Sequence, residues 1–185
     1  MASTPTDPFA AIRDVTNKHR AKHGCGAYPY SNGALLSTLA AAANARRILE
    51  LGTALGYTAL SFAHGAPEAV IDTIERDADH VHLARENIAA FDLTGHIIVH
   101  DGDFASVLRR LDPGYDIAFF DGFTPTPPIL KQLRAMLRSR GLLISANLNH
   151  GGKEIDRYLA SLFDEDQWLS AFVDKDRETA ISIKV

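Results

Sequence analysis

One stretch limits what this chain can fold into: Arg47-Arg-Ile-Leu-Glu-Leu-Gly-Thr-Ala-Leu-Gly-Tyr-Thr-Ala-Leu60. The apolar run Ile48 to Leu51 is too short for a helix and stops at a glycine, the pattern of a buried strand. Gly52 and Gly56 then bracket a tight turn, and Tyr57 to Ala63 resumes with helical residues. A strand, a glycine turn and a helix start turn backbone N–H groups and a helix dipole toward a ligand. A side chain at either glycine would hold that ligand off the backbone.

Spacing narrows the ligand. Dinucleotide sites use G-x-G-x-x-G so that a pyrophosphate sits on the helix end. Here the pattern is Glu50-x-Gly52-x-x-x-Gly56, without a glycine two places after the first. A carboxylate just ahead of the turn disfavours a phosphate and suits a cationic amine. A nucleoside carrying an amino acid, such as S-adenosyl-L-methionine, is therefore favoured over NAD, and an NAD-dependent reductase is disfavoured.

At 185 residues and 46% hydrophobic content, the chain fits one domain with a full core. A net charge of −4 gives no reason to expect nucleic acid or an anionic membrane as partner. No apolar run approaches the roughly 18 residues of a membrane span. The N-terminus has neither the basic nor the apolar region of a secretory signal, and Cys25 is the only cysteine, so a cytoplasmic location is expected.

Residues 1–8 are expected to form a disordered tail, and 9–185 a single domain with N-terminal helices over 9–45. Phe9, Ile12 and Val15 predict an amphipathic helix to about Ala21. His19 and His23 have the spacing of a metal pair, but Lys18 to His23 reads better as a solvated basic face. Residues 24–33 form a loop, and 34–43 an alanine- and leucine-rich helix. Val70 to Glu75 is the second strand, and its closing carboxylate lies about twenty residues beyond Gly52, where an acid accepts from ribose hydroxyls. The competing role for Glu75 is a helix N-terminal charge.

Asp77 is the expected N-cap of a helix with Val81, Ala84, Ile88 and Phe91 along one face, and His80 and His82 are expected at the surface. Ile97 to His100 is a third strand, followed by Gly102, Asp103 and Phe104. Asp103 is either an acceptor for an adenine amino group, with Phe104 on the ring, or a helix cap. Tyr115 to Asp121 is a fourth strand, apolar on both faces. Asp121 at its C-terminal end, where open α/β sheets place chemistry, is assigned a functional role. Ile129, Leu133, Met136 and Leu137 mark the next helix stripe. Gly141 to Asn147 is the fifth strand, a helix runs from Gly151 to about Phe163, and two strands follow at Trp168 to Val173 and Ala180 to Val185.

Such alternation implies a mostly parallel α/β sheet with helices on both faces, and a short closing connection that makes one strand antiparallel. This is the Rossmann-like layout of class I methyltransferases: seven strands with an antiparallel C-terminal hairpin. Ile48 to Leu60, Ile71 to Glu75, Gly102-Asp-Phe104 and Tyr115 to Gly122 together resemble the small-molecule O-methyltransferases, including catechol and caffeoyl-CoA O-methyltransferases. Tyr28 to Leu39 is similar to that family's entry segment. The resemblance implies a cofactor, S-adenosyl-L-methionine, with S-adenosyl-L-homocysteine as product. It implies contacts from Glu50, Gly52, Thr53, Gly56, Tyr57 and Thr58, then Glu75 and Arg76, Gly102, Asp103 and Phe104, and Asp121. It also implies a small hydroxylated, aromatic acceptor and a homodimer.

Two departures qualify the resemblance. That family places a lysine three residues after the fourth-strand acid, and an Asp-Asn pair after the fifth strand, to serve a divalent metal and the reacting hydroxyl. Here those positions hold Thr124 and Ala146-Asn147. One carboxylate and one amide lack the charge that offsets dehydrating Mg²⁺, so no tight metal site is expected. The catalytic set is then Asp121, Asn147 and His150, with Asp121 or His150 as proton acceptor; His150 reads equally as a surface loop residue. The alternative function is a catalytically impaired module that binds the cofactor as a sensor or assembly partner.

Overall fold

The computed structural model describes residues 7–185. Among these, seven strands form one sheet in the order β3-β2-β1-β4-β5-β7-β6. The strands are β1 (Arg47–Leu51), β2 (Val70–Glu75), β3 (Ile97–Asp101), β4 (Tyr115–Phe120), β5 (Leu137–Ser145), β6 (Trp168–Phe172) and β7 (Ala180–Lys184). β1 pairs in parallel with β2 and β4, β2 with β3, and β4 with β5. β7 runs antiparallel between β5 and β6, because the short connection from β6 permits no crossover. The chain order reverses between β1 and β4, which opens a crevice beyond their C-terminal ends.

The helices are α1 (Ala10–His23), α2 (Gly33–Ala42), α3 (Tyr57–Gly65), α4 (Ala78–Ala89), α5 (Phe104–Leu108), α6 (Pro127–Met136) and α7 (Lys153–Leu162). Two apolar layers result. One packs α2, α3 and α4 against a sheet face through Leu36, Leu60, Phe62, Ala84 and Phe119; the other packs α6 and α7 on the opposite face through Leu133, Tyr158, Phe120 and Trp168. None of the described helices is long and apolar enough to cross a membrane.

Several local expectations are corrected. At α1 the buried positions are the N-cap Phe9 and, within the helix, Thr16, with Ile12 half-buried, whereas Val15 is 46% exposed. The true face steps by three and then four residues, which carries it on to His19. On α6 Leu130 joins the buried stripe, and Leu137 already belongs to β5. Phe91 lies beyond α4 and is 41% exposed.

Residues 1–6 of the expected tail lie outside the described residues. Asp7 is anchored: it accepts from the Tyr57 hydroxyl at 2.8 Å and pairs with Arg13 at 2.9 Å.

Candidate active site

The crevice is built from strand ends. Glu50, on β1, is fully buried, and the parallel register sets it beside Thr73 on β2. The Thr73 hydroxyl donates to Glu50 Oε2 at 2.5 Å and lies 2.6 Å from the Thr53 hydroxyl, so a hydroxyl chain fixes one carboxylate oxygen. The other, Oε1, has no partner. Thr58 lies close enough to favour the ionised form without meeting hydrogen-bond geometry. Burial pushes the Glu50 carboxyl up to about 7, the neighbouring Glu75 charge adds to this, and Thr58 and Thr73 oppose it.

A second buried acid in the same sheet makes the contrast. Asp72 on β2 accepts from the Tyr115 hydroxyl at 2.8 Å and pairs with His100 Nε2 at 2.7 Å, so both its oxygens are engaged. Asp72 is structural; Glu50 carries an oxygen that awaits a donor. A buried polar atom without a partner costs about 1–3 kcal/mol, so a donor arriving with a ligand recovers that cost.

Gly52 follows at φ +106°, and an added Cβ would lie 3.1 Å from the Asp121 carbonyl oxygen. The close approach of the β1 and β4 loops thus requires glycine. Gly56, at φ +94°, starts α3, and the loop before it is held by Asn87 Nδ2 donating to the Leu55 carbonyl at 2.9 Å. Glu75, at the end of β2, gathers backbone N–H groups: Ala54 donates to Oε2 at 3.0 Å, and Arg76 and Asp77 donate to Oε1 at 2.8 and 3.0 Å. Glu75 therefore ties the glycine turn to the start of α4. Arg76 is exposed.

Asp121 is half-buried just past β4, anchored by its N–H donating to the Leu51 carbonyl at 3.0 Å. Asn147, just past β5 and at φ 61°, donates from Nδ2 to Asp121 Oδ1 at 3.0 Å. Burial raises the Asp121 carboxyl well above the usual carboxylate range; the Glu50 charge and, more weakly, Glu178 add to this, while Asn147 opposes it. The Glu75 charge thus acts on Glu50 and the Glu50 charge on Asp121, with no basic side chain paired to Glu50 or Asp121 among the described residues. Such a crevice attracts a cation.

The remaining expected residues are more dispersed. Asp103 caps α5 by accepting from the Ser106 N–H at 2.9 Å, which is the capping alternative. Phe104 packs edge-on against Phe120 and approaches Gly122, where an added Cβ would lie 2.8 Å from its ring. Gly102 turns at φ +146°. Tyr57 is buried, with its hydroxyl committed to Asp7. His150 is exposed and stacks on Phe123, itself 79% exposed, with ring centroids 6.5 Å apart. Thr124 is exposed at φ 48°, and Ala146 is buried.

Four contributors escaped sequence reasoning. Tyr30 is buried, packs on Phe119 and meets the Thr179 hydroxyl at 3.2 Å; burial first, and Asp121 among the nearby acids, raise its hydroxyl. Thr179 and Glu178 come from the β6–β7 hairpin, and the Glu178 backbone carbonyl accepts from the Leu148 N–H at 3.0 Å. Only Thr73 had a signal available, since parallel pairing of two adjacent strands brings it beside Glu50.

Sheet order, closing antiparallel hairpin and crevice together define a Rossmann-like α/β fold. The O-methyltransferase family profile matches residues 3–155, and the chain belongs to that family. A putative O-methyltransferase of Mycobacterium sp. (strain KMS) is 31% identical over 151 residues, covering 79% of this chain and 68% of its own length. The catechol O-methyltransferase of Niastella koreensis is 32% identical over 132 residues, covering 68% of this chain and 60% of its own. Among solved structures, a putative caffeoyl-CoA O-methyltransferase from Staphylococcus aureus superposes with TM-score 0.80 at 23% identity, covering 95% of this chain and 92% of that one. The Bacillus cereus O-methyltransferase in complex with SAH gives TM-score 0.82 at 20% identity, covering all of this chain and 94% of that one.

Proposed function

We propose that this protein binds S-adenosyl-L-methionine in the β1/β4 crevice and methylates a hydroxyl of a small aromatic acceptor without a tightly bound divalent metal. The observation that carries the reading is Glu50 Oε1, a fully buried carboxylate oxygen with no partner, at the strand end where the glycine turn begins. An ammonium supplies the missing donor and holds Glu50 ionised. S-adenosyl-L-homocysteine carries the same ammonium and is the expected product-side ligand.

When bound, the cofactor supplies an electrophilic methyl on a sulfonium. This chain's residues do the rest. Glu50 receives the amine, with Thr73 and Thr53 fixing its orientation. Glu75 accepts from the ribose hydroxyls on lone pairs that its three backbone donors leave free. Asp121, whose carboxyl burial raises well above the usual carboxylate range, takes the proton of the acceptor hydroxyl, and the Asn147 amide holds its orientation. Phe123 and His150 form an exposed aromatic rim for the acceptor ring, where His150 is a second candidate for proton transfer.

The donor set does not fit a tight Mg²⁺ site. Asp121 is the one acid in that set, Asn147 turns its N–H donor toward it, and Thr124 and Ala146 add no charge. The homodimer implied by the resemblance and the cytoplasmic location expected from the N-terminus and the single cysteine belong to this same proposal.

The test is calorimetry with S-adenosyl-L-homocysteine on the unaltered chain and on Glu50→Gln and Glu75→Ala, followed by methyl transfer to a catechol panel with EDTA or Mg²⁺. Binding lost in both variants and turnover indifferent to EDTA support the proposal. Turnover abolished by EDTA and restored by Mg²⁺ overturns its metal-free part. Cofactor binding without turnover on any acceptor favours the binding-module alternative instead.

A further inference from the structure

His80 is not at the surface: it is 6% exposed, and the packing of α1 on α4 sets the His19 ring 5.2 Å from it. Cys25 comes to the same place from the loop after α1. The donor atoms of His19, Cys25 and His80 all lie within 4.8 Å of one another. This cluster is separate from the Asp121–Asn147 pair, and methyl transfer does not use it.

Two imidazoles and a thiolate are a borderline-soft donor set of the kind that holds zinc, and these three come from three separate elements. We infer that His19, Cys25 and His80 form a three-ligand site for a Zn²⁺-class transition metal, pinning the end of α1 and its following loop to the start of α4.

The geometry needs little adjustment. Tetrahedral bonds of roughly 2.0–2.3 Å put ligand atoms about 3.3–3.8 Å apart, so the cluster contracts by about 1 Å on loading. The loop has room for that movement, since Gly24 and Gly26 flank Cys25 and an added Cβ at either would meet nothing within 4 Å. His80 Nδ1 lies 3.9 Å from Glu75 Oε2, too far for a hydrogen bond but close enough for the carboxylate charge to favour a cation held by this ring. Asp77 and Asp79 lie near enough to act on His19, and their charge offsets that of the ion. The fourth position is left to water.

The experiment loads metal-free, reduced full-length chain with Co²⁺, then competes it with Zn²⁺. The expected result is one Co²⁺ per chain with thiolate-to-cobalt absorption in the near ultraviolet and tetrahedral visible bands, all displaced by Zn²⁺. Cys25→Ser abolishes the charge-transfer band. His19→Ala, at a half-buried position, weakens Zn²⁺ by more than about 100-fold while far-ultraviolet circular dichroism stays native. His82→Ala, on the exposed side of α4, leaves both signals unchanged. Absence of the thiolate band in the unaltered chain overturns the inference. So does Zn²⁺ affinity that survives Cys25→Ser and His19→Ala but falls with His82→Ala, which places the ion on the surface pair of His82 and Glu86. All these readouts are independent of S-adenosyl-L-methionine.

Discussion

Asn147 and Asp121 join the ends of two neighbouring strands: the amide nitrogen past β5 donates to the carboxylate past β4 at 3.0 Å. That bond opposes the effect of burial on Asp121. Removing it with Asn147→Ala lets the carboxyl rise further. A base must be deprotonated to act, so the acid limb of the kcat/KM profile moves to higher pH, and kcat falls roughly 10²-fold at neutrality. An unshifted limb would exclude Asp121 as the base.

The same pair bears on metal use. Ala146 occupies the place of the family's second acid, directly before Asn147. Ala146→Asp with Thr124→Lys restores the charge that the present donor set lacks. The double variant is expected to bind Mg²⁺ measurably by calorimetry, whereas the parent gives no heat. Because Ala146 is 1% exposed, the variant is also expected to lose about 1–3 kcal/mol of stability by urea unfolding.

Glu50 makes the ligand-free protein pH-sensitive with a defined sign. Its folded carboxyl sits near 7 against an ordinary 4.5, so between these values the folded chain holds a proton that the unfolded chain has released. This group's contribution is complete below about 4.5 and is lost as pH rises through about 7. Relative to the parent, Glu50→Gln flattens that slope, which thermal unfolding from pH 5 to 8 reads directly. Affinity for S-adenosyl-L-homocysteine runs the other way in the parent, weakening below pH 7 as Glu50 takes up its proton.

Gly65 tests the scaffold without touching the crevice. A Cβ there would lie 1.9 Å from the Ser37 carbonyl oxygen, so α2 and α3 touch backbone to backbone. Gly65→Ala forces them apart and is expected to cost about 1–3 kcal/mol, measured by urea unfolding. Cofactor affinity under folding conditions should change little.

Much of the fold was legible because the strands are short apolar runs closed by glycine or acid, a pattern that parallel pairing dictates locally. Glu50, Glu75 and Asp121 could be found for the same reason: each is a carboxylate at a strand end. What the sequence withheld depends on contacts made at a distance. Thr16 and Val15 are adjacent and helix-compatible, and only the surface beneath α1 decides which is buried. His80 looked like one of two surface histidines until α1 covered it. Tyr30 and Thr179 are far apart in the chain, and their meeting follows from the placement of β7 between β5 and β6. Asp103 offered a cap and a ligand contact with equal force, and the capping bond is the one the structure contains.

The register of β1 on β2 divides the crevice into halves with different freedom to change. Glu50 and Thr73 are locked by neighbouring backbones, and shifting either strand by one residue would turn that strand's side chain to the other face and break the pair. Phe123, Thr124 and His150 hang from loops outside the sheet. On the proposed function, rewriting those loops would retune which acceptor is welcomed, while the grip on the methyl donor would pass unaltered from one specificity to the next.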